Sequence, residues 1–339
     1  FIKIIPITYH EAARAKNIFF GLFQKEPIAK DALFSYLSRR HQEAVKRLAR
    51  EEFRGKNGET KSVWFPKGPV KRIRLFGWGE KHKWNYRKNP LVARHYVQYA
   101  KSERIAEFAT PFGSSLGMSK KEGAAAFSTN AVMADFEFNK YKETPKEGWP
   151  EVKTIYLAAD KKDFPEIQKG IREGMVIGEE VNGCRELANT PGGDMTPTRL
   201  AEAAIVSGKS KGIKVKILEE KDMKRLWMGG VLGVAKGSDE KPKFIIMEYR
   251  RGPKEQKPLV LVGKGVTFVS GGLTLKPGKA LNEMHMDMSG GAAVIHGMAA
   301  AARLKLPINI IGLIPTVENM PSGASYRPGD ILKTMSGKT

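Results

Sequence analysis

The sequence predicts an α/β protein in two domains, residues 1–162 and 163–339, and three observations carry that expectation. From Asp163 onward, apolar runs of strand length alternate with stretches of helical periodicity, the rhythm of a doubly wound sheet. A length of 339 residues, 41% of them hydrophobic, suffices for two domains and a large core. One apolar run, read as a buried strand beginning at Leu259, opens into a glycine-rich stretch that carries Lys264, Lys276 and Asp287. In open α/β sheets, strand ends of this kind are where ligands bind.

Taken in order, residues 1–110 read as mixed α/β. Ile28 to Leu48 has helical character, with Leu33, Tyr36, Leu37, Val45 and Leu48 on one stripe. Lys61 to Trp84 reads as two strands, SVWF and IRLFGW, separated by Pro66, Gly68 and Pro69. Pro90 to Ile105 reads as a helix with its proline in the first turn. Residues 107–149 are less regular, with helix then loop from Met118, and Thr154 to Ala158 is a short buried strand.

The domain boundary is placed at the DFPE segment. Asp163 is suited to an N-cap, Pro165 to the first turn and Glu166 to the capping-box position. A long helix should follow to about Ala188 and end at Pro191, Gly192 and Gly193. A second helix starts at Thr196-Pro197 and breaks at 208–212. Strands are then expected over 213–218, FIIMEY and LVLVGKG, with KDMKRLW as a helix between the first two. Ser289–Leu304 is an Ala-rich helix, and INIIGLIPTVE a further buried strand that ends at Glu318-Asn319.

Composition bounds the function. No apolar run approaches the ~20 residues that a membrane helix needs. Phe1 opens the chain with no basic-then-apolar leader in view. Cys184 is the only cysteine, which rules out an internal disulfide and a multi-cysteine zinc site and fits a small buried hydrophobe. The net charge is +22 and uneven: residues 1–100 hold 22 Lys/Arg against 8 Asp/Glu. A basic N-terminal third invites a nucleic-acid partner. Within it, KRIRLFGWGEKHKWNYRK interleaves cations and aromatics as a single-strand stacking surface would, although a strand with rings inward and lysines outward explains it more simply.

The lysine-bearing stretch fails as a phosphate loop. Gly272 and Gly278 are separated by five residues instead of four, and Ala280 stands where Ser or Thr is required after Lys279. What remains is a pair of lysines and an aspartate on one strand-loop unit, with Gly263 and Gly265 allowing close backbone approach around Lys264.

Five segments in register, VGKGVTFVSGG, LKP, MHMDMSGGAA, PTVENMPSGASYRPGD and MSGKT, closely resemble the leucyl aminopeptidase family of dinuclear-metal exopeptidases. The resemblance implies a smaller N-terminal α/β domain followed by an α/β/α mixed-sheet catalytic domain. It also implies a cytoplasmic homo-oligomer, usually a hexamer, that removes leucine-like N-terminal residues from peptides with two divalent metals, zinc or manganese and in some cases magnesium. By motif position, Lys264 and Asp287 correspond to metal ligands and Lys276 to the catalytic lysine that stabilises the developing oxyanion. Met284 falls where the family lines the pocket for the substrate's first side chain.

The chain departs from the family pattern at Val269, which occupies the position of a ligand aspartate; valine cannot coordinate a cation. The family's remaining ligands and its arginine lie in a motif after MSGKT, so the expectation is a C-terminally incomplete catalytic domain. Glu283, Glu318, Asp330, His285 and His296 are nearby candidates. Glu318 fits better as a loop-anchoring acceptor, and a lone histidine is more often structural. The sequence therefore predicts a chain that binds fewer than two metals and does not hydrolyse peptides. The alternative is a catalytically silent relative that binds nucleic acid or serves a structural role.

Overall fold

The computed structural model describes residues 2–112, 118–209 and 211–339, so Ser210 of the expected 208–212 helix break and residues 113–117 of the irregular stretch lie outside the described residues. The chain divides into two compact units at Glu179/Glu180.

The first unit is built on six strands: β1 (Lys3–Ile7), β2 (Asn17–Leu22), β3 (Thr60–Trp64), β4 (Arg72–Gly77), β5 (Glu107–Pro111) and β6 (Thr154–Ala158). Their order is β1-β6-β5-β2-β4-β3. Every neighbouring pair is parallel except β3/β4, which forms the antiparallel edge. Buried on both faces, β2 reads NIFFGL, a nearly continuous apolar run of the kind parallel strands require. The strand alternation divides it between two cores. Phe19 stacks on Phe108 with centroids 4.3 Å apart, while Ile18, Phe20 and Leu22 enter the other cluster with Leu33 and Val45.

Ile28–Leu48 is not one helix. It forms a 3-10 turn at Ile28–Lys30, a short helix at Ala32–Ser35 and a helix at Arg39–Glu51. The breaks are caps: the Asp31 carboxylate accepts from the Leu33 amide at 2.9 Å, and the Ser38 hydroxyl caps the next start. Of the expected apolar stripe Leu33, Leu37, Val45 and Leu48 are buried, whereas Tyr36 at the end of the short helix is 52% exposed.

In the basic-aromatic segment Phe76 and Trp78 are buried and pack on each other and on Tyr96 of the helix that follows, while Trp84 is half-buried. Arg72 is buried as well, donating to Tyr99 Oη and Glu103 Oε2, both at 3.0 Å, and its guanidinium lies 3.6 Å from the Trp64 ring centroid.

Helix Asn89–Ser102 follows with its proline in the first turn, then Lys120–Asp135, opened by a Ser119/Glu122 capping box. The long helix expected from DFPE is found at Phe164–Asn189. Sequence punctuation places the boundary at its start, whereas the compact units divide within it. Its first turns bury Ile167 and Ile171 in the N-terminal core, and its last turns bring Cys184 and Leu187 to the second core. Gly174 lets it approach Lys120–Asp135 closely, since a Cβ there would stand 2.3 Å from the Ala125 carbonyl oxygen.

The second unit has β7 (Lys214–Leu218), β8 (Lys243–Arg250), β9 (Leu259–Val262), β10 (Gly265–Val269) and β11 (Asn309–Asn319). The sheet is mixed: β7/β8 and β8/β11 are antiparallel, and β9 and β10 both run parallel to β11. The doubly wound rhythm is thus only partly realised. Between β7 and β8 the helices Glu220–Arg225 and Gly229–Ala235 span 6 and 7 residues. Each rises only about 10 Å, too little to carry the chain back along the sheet, so β8 returns antiparallel. Between β10 and β11 the 15-residue helix Ser289–Arg303 is long enough for a parallel crossover. The expected buried character of LVLVGKG is corrected: Leu259, Val260 and Val262 are 56%, 48% and 72% exposed, because among the described residues β9 pairs only with β11.

Candidate active site

The strand that carries Lys264 is interrupted, not ended, at that residue. β9 stops at Val262, and β10 resumes at Gly265 on the same partner. Gly263 and Gly265 are needed for packing within the unit: a Cβ at Gly263 would stand 2.5 Å from Gly290 O, and one at Gly265 would stand 2.7 Å from Pro315 O. The Lys264 carbonyl accepts from the Gly291 amide at 2.7 Å, which pins the interruption to the start of helix Ser289–Arg303.

A 3-10 turn at Met284–Met286 leads into that helix and delivers Asp287. Lys264 Nζ lies 3.1 Å from Asp287 Oδ2, with the two side chains 62% and 24% exposed. Residues 23 positions apart in sequence are therefore brought together by the interruption and the turn. So exposed an ion pair contributes at most about 1 kcal/mol to stability. Met284 is half-buried in the same turn.

Val269 ends β10, opposite Asn319 of β11. Beyond it the chain turns at Gly271 and Gly272, whose φ of 95° and 66° favour glycine. Asn319 holds this turn: its side-chain oxygen accepts from the Gly271 amide at 3.1 Å, and its carbonyl accepts from Ser270 Oγ at 2.8 Å. Lys276 is half-buried and sits at the far side of the turn, its amide donating to Ser270 O at 2.9 Å. Asn319 and Ser270 are thus the positioning residues that sequence reasoning missed. The available signal was a polar pair at two adjacent strand ends. A cavity of about 280 Å³ adjoins this turn, lined by Gly271, Gly272, Leu273, Thr274, Asn319 and Tyr326 among others.

The nearby candidates have other work. Glu318 accepts a hydrogen bond from Ser238, which also receives the Glu240 amide at 3.1 Å, so it anchors a loop. His296 is tied to Glu180, its Nδ1 donating at 2.8 Å, and Arg303 donates to the same carboxylate at 2.9 Å. Burial opposes the charge on Glu180, but the His296 and Arg303 bonds and the Lys211 charge hold its carboxyl below the usual range. His285 Nδ1 lies 3.2 Å from Asn282 O. Cys184 is half-buried against the second core, and burial pushes its thiol up.

The donor set does not fit a dinuclear metal centre. Among the described residues no group of three or more His, Cys, Asp and Glu is arranged to hold a metal ion. Lys264 and Asp287 together offer one amine and one carboxylate, short of the four to eight donors that divalent cations take. No helix among the described residues is long and apolar enough to cross a membrane.

Comparison with known proteins gives consistent matches. Residues 182–339 match the family model for the catalytic domain of the cytosol aminopeptidase family, and residues 20–145 match that for its N-terminal domain. A cytosol aminopeptidase of Pseudomonas aeruginosa is 38% identical over 296 residues, covering 86% of this chain and 60% of that protein. A probable cytosol aminopeptidase of Alkaliphilus oremlandii is 35% identical over 295 residues, covering 86% of this chain and 59% of its relative. A solved mutant of tomato leucine aminopeptidase superposes with a TM-score of 0.82 at 26% identity, over 99% of this chain and 66% of that one. The chain thus spans about 60% of the length of these two curated relatives.

Proposed function

The chain belongs to the cytosol aminopeptidase family, and from that premise we propose that its second unit is laid out for metal-dependent removal of leucine-like N-terminal residues from peptides. In this reading Lys264 and Asp287 occupy metal-ligand positions. Lys276 is the lysine that would meet the oxyanion, and Met284 lines the pocket for the first side chain. The observation that supports it is the 3.1 Å approach of Lys264 Nζ to Asp287 Oδ2 at a strand interruption. As a metal ligand the lysine would have to give up its proton, and the carboxylate now beside it would be shared with the cation. With a full ligand set, divalent ions would supply an activated water and a polarised carbonyl; Lys264 and Asp287 alone fall short of that set. The protein's own contribution is placement: Asn319 and Ser270 hold the turn that presents Lys276, and Gly291 holds Lys264.

The same reading makes the chain hydrolytically silent. Val269 offers no donor where the family carries an aspartate, so two cations would share too few ligands. The test is turnover of leucine p-nitroanilide by the chain with manganese or zinc added. We expect none above background, and metal-dependent turnover would overturn the silence.

A second reading, nucleic-acid binding, draws on the basic first hundred residues. Arg72 is engaged inside the unit, but Arg39, Arg40, Lys46, Arg47 and Arg50 are exposed on one helix. Oligonucleotide affinity that falls steeply with salt supports this reading, and affinity indifferent to salt refutes it.

A further inference from the structure

The N-terminal unit contains a cavity that the aminopeptidase reading does not use. It lies at the carboxyl ends of parallel strands: Gly21 near the end of β2, Trp78 just after β4, Pro111 closing β5, and Leu157 near the end of β6 all line it. From β2 the next parallel strand, β4, is added on one side, and the one after, β5, on the other. The chain therefore reverses its direction of sheet building between β2 and β5. A crevice outside the carboxyl ends of strands at such a reversal is where open α/β sheets bind ligands.

The wall is aromatic, and Gly21 is part of how it is built: a Cβ there would stand 2.0 Å from Trp78 Nε1, so only glycine lets the indole lie against the strand. Trp84 is held by its own donor bond to Asn89 Oδ1 at 2.9 Å. Phe23, Phe112 and Phe127 contribute further rings. Among the described residues Asp31 is the only charged one in the lining. Its carboxylate accepts from the Leu33 amide at 2.9 Å and from the Phe34 amide as well, and among the described residues no Lys, Arg or His forms an ion pair with it. Burial, aided by the nearby Glu26 charge, pushes its carboxyl up to about 6, in keeping with a carboxylate that lacks a counter-ion.

Three features select the ligand class. The volume, about 180 Å³, is close to that of a cavity that takes one benzene-sized ring. A lone carboxylate with no cationic neighbour in the lining repels anions, and a neutral apolar guest would leave that charge desolvated. Aromatic faces beside a carboxylate favour a flat cation, through cation–π attraction and a charge-assisted hydrogen bond. We propose that this crevice is a binding site for a small planar nitrogen cation, an aromatic amidine or a protonated nitrogen heterocycle, with its N–H groups on Asp31 and its ring among Trp78, Trp84 and Phe112.

The test is titration of the full chain at neutral pH with benzamidinium, and with toluene and benzoate as uncharged and anionic analogues, followed by ligand-observed NMR. The expected order is benzamidinium, then toluene, then benzoate with no binding. Asp31→Asn keeps the cap, because asparagine caps as well as aspartate, yet should weaken benzamidinium about tenfold or more through loss of the charged partner. Ala126→Leu, which fills the cavity from its lining, should abolish binding of both ring compounds. Benzamidinium binding unchanged by Asp31→Asn, benzoate binding as tightly as benzamidinium, or no saturable binding of benzamidinium would each overturn the proposal.

Discussion

Replacing Glu180 by Gln tests whether the interior of the second unit is held by a charge network. The side chain is 8% exposed and takes donors from His296 at 2.8 Å and Arg303 at 2.9 Å, with Lys211 Nζ 3.8 Å away. Hydrogen bonds to a charged group are worth about 1.5–3 kcal/mol each. Gln keeps one acceptor oxygen, turns the other into a donor that faces a donor, and removes the charge. We therefore expect a loss of about 2–3 kcal/mol near neutral pH. The sign with pH follows from the lowered carboxyl. Its stabilisation is complete above the ordinary glutamate value of 4.5 and is lost as pH falls through the lower folded value. Urea unfolding of both proteins should show the gap widest near pH 7 and shrinking below about pH 4. A gap under about 0.5 kcal/mol at pH 7, or one that stays constant into acid, would refute the network as a source of stability.

Two further outcomes follow from the first unit. Gly174→Ala drives a methyl to 2.3 Å from the Ala125 carbonyl and should cost about 1–3 kcal/mol, read as a lower urea midpoint. Asp31 has its carboxyl raised from 3.8 to about 6, so the folded state holds its proton more tightly and stability falls as pH rises across that window. Asp31→Asn should accordingly gain up to about 3 kcal/mol over the parent at pH 8 and nothing at pH 3. An equal difference at both ends would show that the carboxyl is not raised.

Much of the architecture was legible because local punctuation agreed with it. DFPE opened the long helix, and Pro191-Gly192-Gly193 closed it just after Asn189. TIYLA gave β6 to the residue. Where reading failed, a longer-range term had prevailed. The stripe over 28–48 is genuine on the inward face, but Asp31 and Ser38 restart the helix twice. Leu259–Val262 looks like an interior strand because apolar content does not reveal how many neighbours a strand has. At the candidate site, residue type and motif register pointed to Lys264 and Asp287, but no spacing rule brings positions 264 and 287 together. The strand interruption and the 3-10 turn do that. Asn319 carried only the signal of a polar residue at a strand end, since the turn it accepts from lies 48 residues earlier.

The account turns on the proposal that Val269 stands where a donor is needed beside the Lys264–Asp287 pair. Equilibrium dialysis against manganese or zinc, followed by elemental analysis of the parent chain and of Val269→Asp, measures this directly. The expected result is fewer than two tightly held ions per parent chain and a clear gain in the variant. Two ions per chain in the parent, or no gain on restoring the carboxylate, would contradict it.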